Sequence, residues 1–159
     1  FDVSPEEDSC LFKASSQSGA VSVGAVQEEV MKAGLLGEMI GIAFQIKDDI
    51  FDYFESSELG KPTGNDMLEG KLTLPALYVL NQTGDDSLKQ TALKIRSLEA
   101  SKEEIANFVE TVKEKGGIEY ATRMMYEFRD KALALVPASA DSSLKEALTA
   151  YIDYVIETK

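Results

Sequence analysis

The sequence predicts an all-α protein, and three observations carry that prediction. Only four prolines occur in 159 residues, and long stretches are rich in Ala, Leu, Glu, Lys and Met, the residues that lose least on entering a helix. Apolar residues recur at helical spacing through most of the chain. No run alternates apolar and polar residues as a half-buried strand would. With 44% hydrophobic and 28% charged residues, the composition is that of a folded globular chain with one core, or part of a larger one.

The elements can be justified in order. Ser4-Pro5-Glu6-Glu7 reads as a helix start, with a serine cap, proline in the first turn and glutamate three residues on. Helical spacing continues through Leu11, Phe12 and Ala14 and breaks near Gly19 to Gly24. No proline interrupts residues 25–54, where Val30, Ala33, Leu36, Ile40, Ala43 and Phe44 keep helical spacing; they predict one helix of roughly 45 Å. Residues 55–71 hold Gly60, Pro62, Gly64 and Gly70 among charges and read as an ordered loop. Helices are expected at about 74–81 and 88–97, separated by the turn residues Thr83-Gly84-Asp85-Asp86. Ser101-Lys102-Glu103-Glu104 is a capping box opening a helix that stops at Gly116-Gly117. The next helix, about 118–135, ends at Pro137. The last starts near Ser143, with Leu144, Ala147, Leu148, Tyr151, Ile152 and Val155 as its apolar stripe.

Composition also excludes several functions. A net charge of −12 argues against nucleic acid, whose binding needs Lys and Arg against phosphates. Cys10 is the only cysteine and there is no histidine, which removes disulfides, thiolate cages, histidine ligands and histidine bases. Any metal must sit on oxygen, which favours magnesium, calcium or manganese. Phe1-Asp2-Val3 is neither basic nor followed by an apolar run. The most apolar stretch, 33–46, contains Glu38 and is too short to span a bilayer. A soluble cytoplasmic protein without membrane insertion is the expectation, and the missing initiator Met points to a fragment.

The informative stretch is Phe44-Gln45-Ile46-Lys47-Asp48-Asp49-Ile50-Phe51-Asp52. On a helix Gln45, Asp48 and Asp52 lie at relative positions 0, 3 and 7 and share one face, with Asp49 on its flank. Such crowding costs stability. Like charges at this spacing repel by roughly a few tenths of a kcal/mol per pair, and anions near a helix C-terminus cost roughly 0.3–1 kcal/mol each. A divalent cation removes both objections, and magnesium suits a site of one or two carboxylates completed by water and phosphate oxygens. Alone, Asp-Asp-x-x-Asp more often marks a solvated acidic face.

What shifts the balance is the string Gly60-Lys61-Pro62-Thr63-Gly64-Asn65-Asp66-Met67-Leu68-Glu69-Gly70-Lys71-Leu72-Thr73-Leu74-Pro75. Taken singly, Lys61 and Lys71 read as solvated surface, and Gly60 and Gly64 as turn chemistry. Together, beyond a carboxylate face, they make a diphosphate clamp: lysine supplies compact charge, and glycine lets backbone N–H groups approach phosphate closely.

At this point the sequence resembles the trans-isoprenyl (polyprenyl) diphosphate synthase family. Phe44-Gln45-x-x-Asp48-Asp49-x-x-Asp52 resembles its second aspartate-rich motif. Gly60-Lys61, Gly64-x-Asp66 and Gly70-Lys71-x-Thr73-x-Pro75 resemble the segment after it, and Leu11-Phe12 with Gly19-Ala20 the preceding helix. The resemblance implies an isoprenoid-synthase-type helical bundle, usually homodimeric. It implies magnesium-dependent condensation of an allylic prenyl diphosphate with isopentenyl diphosphate into a longer trans product. Asp48, with Asp49 and Asp52 directly or through waters, would hold magnesium. Lys61 and Lys71 would contact the allylic diphosphate, Gln45 would hydrogen-bond near it, and Asp66 would order the loop through Lys71. Bound metal would reconcile an acidic chain with an anionic substrate.

Two departures stand out. No first aspartate-rich motif and no arginine-bearing isopentenyl diphosphate site occur upstream, so residues 1–159 are expected to be the C-terminal part of such an enzyme, inactive alone. Glu7-Asp8 stand where the family has Lys-Thr: either that ligand is lost, or a short stretch between Glu7 and Ser9 is missing, the reading favoured here. The alternatives are a non-catalytic interaction subunit of a heteromeric prenyl synthase and a terpene cyclase of related fold; Gln45, four residues before Asp49, fits elongation better than cyclisation.

Overall fold

A computed structural model describes residues 7–54, 63–137 and 140–157, and all regular structure among them is helical. Eight helices follow in order: α1 (Glu7–Ser22), α2 (Gln27–Phe51), α3 (Asn65–Leu68), α4 (Leu74–Gln82), α5 (Asp86–Arg96), α6 (Lys102–Glu114), α7 (Gly117–Ala134) and α8 (Ser142–Glu157). The chain divides into two compact units. One takes Phe1–Lys47 and Met124–Lys159, the other Asp48–Arg123. No helix among the described residues is long and apolar enough to cross a membrane.

In the first unit, α1 and α2 pack at unusually short range because α2 presents glycines to α1. Gly34, Gly37 and Gly41 are all buried. A Cβ at Gly41 would stand 2.5 Å from Ser9 Cα, and one at Gly37 would meet the Phe12 carbonyl oxygen. Farther along, Ile40 packs with Ala132 and Ile152, flanked by Phe12, Leu36, Met39, Leu133 and Val155. Arg129 donates to Asp153 at 2.7 Å, tying α7 to α8. The apolar stripe expected on α8 is met in part: Ile152 is buried and Val155 packs against the same cluster, Ile156 is buried as well, and Leu144 and Tyr151 are exposed. Hydrophobicity alone does not say which of these residues meet Ile40 and Ala132, and packing selects Ile152 and Val155.

In the second unit, Tyr53, Met67, Ile95, Phe108 and Val112 form the heart of a core drawn from α3 to α6 and the turn after α2. The Tyr78 and Tyr120 rings stack at 4.0 Å between centroids. Helix starts follow the expected local chemistry. Asp85 caps α5, accepting from the Ser87 and Leu88 amides at 3.0 and 3.3 Å. Ser101 and Glu104 complete the capping box of α6, each side chain accepting from the other's amide at 3.1 and 2.8 Å. One turn of helix, α3, was not expected and lies inside the segment read as loop. The serine-capped start at Ser4-Pro5 falls outside the described residues.

Candidate functional site

The site is built where α2 ends. Asp48 and Asp49 lie in its last turn, which holds no basic residue; Asp48 is exposed and Asp49 half-buried. Helical bonding persists one residue further, the Asp52 amide donating to the Asp48 carbonyl at 3.2 Å, before Tyr53 and Phe54 turn away on shorter i→i−3 bonds to Ile50 and Phe51. Gln45, half-buried, stands on α2 in the first unit. Lys47 was passed over at the level of sequence. Its ammonium donates to the Val155 carbonyl at 2.9 Å and lies 4.8 Å from the centre of the Phe44 ring, so it serves the last turn of α8.

Asp52 is engaged by the chain itself. Its Oδ1 accepts from the Asn65 amide at 2.9 Å and its Oδ2 from the Asp66 amide at 3.1 Å. Its carbonyl accepts from the Gly64 amide at 2.8 Å. Burial, then the neighbouring Asp66 charge, push the Asp52 carboxyl above the usual carboxylate range, against the lowering effect of the two amides. The three aspartates predicted to share one metal are therefore not presented alike. Among the described residues no three Asp, Glu, His or Cys side chains gather into a metal cage. The physical reason is that α2 stops at Phe51, which turns the third carboxylate toward the incoming loop.

That loop is set by two left-handed glycines. Gly64 has φ 77°, and a Cβ there would stand 2.8 Å from an Ile105 methyl; Gly70 has φ 79° and sits against Leu98. Their amides already donate to the carbonyls of Asp52 and Met67. Both glycines thus serve the turn, not the phosphate approach that their spacing suggested. The Lys71 amide donates to the Asp66 carbonyl at 2.8 Å, and its side chain pairs with Glu69 at 3.1 Å, both well exposed. An exposed pair of this kind contributes only about 0–1 kcal/mol, so exchanging Glu69 for a stronger anion costs little. Lys61, with Gly60, lies outside the described residues.

Tyr53 carries no signal in the sequence that would single it out. It is fully buried, and its hydroxyl lies beside the Thr73 hydroxyl and the Ala76 amide without a hydrogen bond of good geometry to either. Burial and the Asp49 and Asp52 charges raise its pKa. A buried hydroxyl left unsatisfied costs about 1–3 kcal/mol, so Tyr53→Phe is expected to leave stability unchanged or raise it by about 1 kcal/mol. Denaturant unfolding checks this; a loss above that size would mean the hydroxyl is bonded in solution.

An all-oxygen donor set and an exposed Asp48 beside Asp49, in a last helical turn without a basic residue, fit a hard cation that keeps most of its own waters. A model of the polyprenyl synthetase family matches residues 7–112. The chain belongs to that family. Among polyprenyl synthetase relatives, the heptaprenyl diphosphate synthase component 2 of Geobacillus stearothermophilus is 35% identical over 146 residues, 89% of this chain and 44% of that protein. The crystal structure of geranylgeranyl pyrophosphate synthase from Bacteroides thetaiotaomicron matches with a TM-score of 0.89 at 53% identity, covering 94% of this chain and 50% of that one. The polyprenyl synthase of Caulobacter crescentus CB15, complexed with calcium and isoprenyl diphosphate, matches with a TM-score of 0.78 at 30% identity, covering 92% and 45%. The chain spans about half the length of these relatives.

Proposed function

We propose that residues 1–159 form the C-terminal part of a trans-prenyltransferase that condenses an allylic prenyl diphosphate with isopentenyl diphosphate, this part binding the allylic diphosphate. The observation that carries the reading is an aspartate-rich helix end onto which a lysine-bearing loop is folded by backbone hydrogen bonds, in a chain of the polyprenyl synthetase family. Asp48 and Asp49 would hold magnesium, which supplies positive charge where the leaving diphosphate gains negative charge. Lys71 exchanges its exposed partner Glu69 for diphosphate oxygens, and Lys61 and Gln45 supply a second cation and an amide donor. The exposed apolar residues beside the segment, Phe51 and Phe54, offer the isoprenoid chain an apolar surface to cover.

The test is an assay of the full-length protein with an allylic diphosphate, labelled isopentenyl diphosphate and magnesium. Elongated product that disappears with EDTA and returns with magnesium is the expected result; no elongation under any divalent cation would sink the reading. A second reading has one observation in its favour: the relative from Geobacillus stearothermophilus is named as one component of its synthase. In that case activity appears only after mixing with a different subunit, and the native mass of the protein alone differs from that of the active complex. A homo-oligomer gives activity without mixing.

A further inference from the structure

We infer that Asp52 is the positioning residue that folds the lysine-bearing loop onto the end of α2, leaving the cation to Asp48 and Asp49. Asp52 lies past the last residue of α2 and meets the chain again twelve residues later. There, three successive amides point at it: Gly64 at its carbonyl at 2.8 Å, and Asn65 and Asp66 at the two carboxylate oxygens at 2.9 and 3.1 Å. Each oxygen of the side chain thereby accepts one backbone amide. Capture of consecutive amides by one carboxylate has the chemistry of a helix N-cap made by a residue distant in sequence, and charge-assisted bonds of this type are about twice as strong as neutral ones.

The consequence reaches the lysine. The Asp66 carbonyl accepts from the Lys71 amide at 2.8 Å and from the Glu69 amide at 3.1 Å. The backbone position of Lys71 is thus set from Asp66, and that of Asp66 from Asp52. On the opposite side, Gly64 rests against Ile105 and Val109, so the turn is held between the core and the carboxylate. Within one Asp-Asp-x-x-Asp segment the labour divides: the first two carboxylates face a cation, and the third faces the chain.

The part concerning cation and substrate rests on the proposed function; the part concerning the loop does not. Amide hydrogen exchange and calorimetric titration with magnesium plus inorganic diphosphate, on the full-length protein, separate them. Asp52→Ala should speed exchange at Asn65 and Asp66 by about tenfold or more, the equivalent of losing one charge-assisted bond. Magnesium affinity should stay within about threefold of wild type, and KM for the allylic diphosphate should rise more than kcat falls. Asp52→Asn, which keeps one carbonyl acceptor, should be intermediate in exchange and remain folded if the alanine variant does not. Asp48→Ala should show the reverse pattern, with weaker magnesium binding and unchanged exchange. Magnesium binding lost as fully in Asp52→Asn as in Asp48→Ala, with exchange at 65 and 66 unchanged, would overturn the assignment. If wild type binds no magnesium with diphosphate, the proposed function falls, and the exchange data alone still decide whether Asp52 holds the loop.

Discussion

If the full-length protein has the proposed activity, Asp48→Ala is expected to lower turnover by about 10²–10³, the scale on which removing one charge-stabilising group from a transition state is felt. Folding should not suffer. Asp48 is exposed, so little buried apolar surface goes with it, and its carboxylate sits in the C-terminal turn of α2, which holds no basic residue. Removing an anion from that end should raise stability by roughly 0.3–1 kcal/mol. The two readouts therefore move in opposite directions: kcat falls while Tm holds or rises. That pattern distinguishes a residue kept for chemistry from one kept for structure. A variant with unchanged turnover at saturating magnesium would remove Asp48 from the site.

The second large effect concerns stability and comes from glycines. Gly37→Ala should destabilise the protein by about 1–3 kcal/mol, the range for overpacking a tight contact. The added carbon would meet the carbonyl oxygen of Phe12 on α1, and backbone cannot rotate away as a side-chain tip can. Gly19→Ala, the same substitution on α1, should stabilise by about 0.5–1 kcal/mol, because nothing lies within 4 Å of the new carbon and a helix interior gains from losing glycine's freedom. Urea unfolding of the two variants should give shifts of opposite sign. Equal shifts would mean that α1 and α2 do not pack at this distance in solution.

The legible parts of the fold were those governed by local chemistry. The capping box at Ser101 and Glu104 and the Asp85 cap each lie within four residues of the amides they satisfy, so a reading of neighbours finds them. The illegible parts depend on partners far along the chain. Gly34, Gly37 and Gly41 carry no hydrophobic signal, so the face of α2 that α1 approaches closely is invisible to an apolar-spacing argument. The stripe on α8 was legible only in part: Ile152 and Val155 pack as expected, whereas buried Ile156 had no place in it and Leu144 and Tyr151 stay exposed. Nothing in the spacing connects Asp52 with amides twelve to fourteen residues on, and the one-turn helix they start is too short to show periodicity.

The candidate site divides along the same line. The sequence by itself determined the all-oxygen donor set, the spacing of Asp48, Asp49 and Asp52 near the end of a long helix, and the lysine–glycine segment that follows, because residue type and helical period are local properties. Only the tertiary structure decided that Asp52 turns toward the chain, that Gly64 and Gly70 serve left-handed turns with their amides already committed, and that Lys71 rests on Glu69. Those outcomes depend on which groups burial brings together. A partly buried carboxylate needs hydrogen-bond partners, and only folding brings it amides thirteen and fourteen residues away.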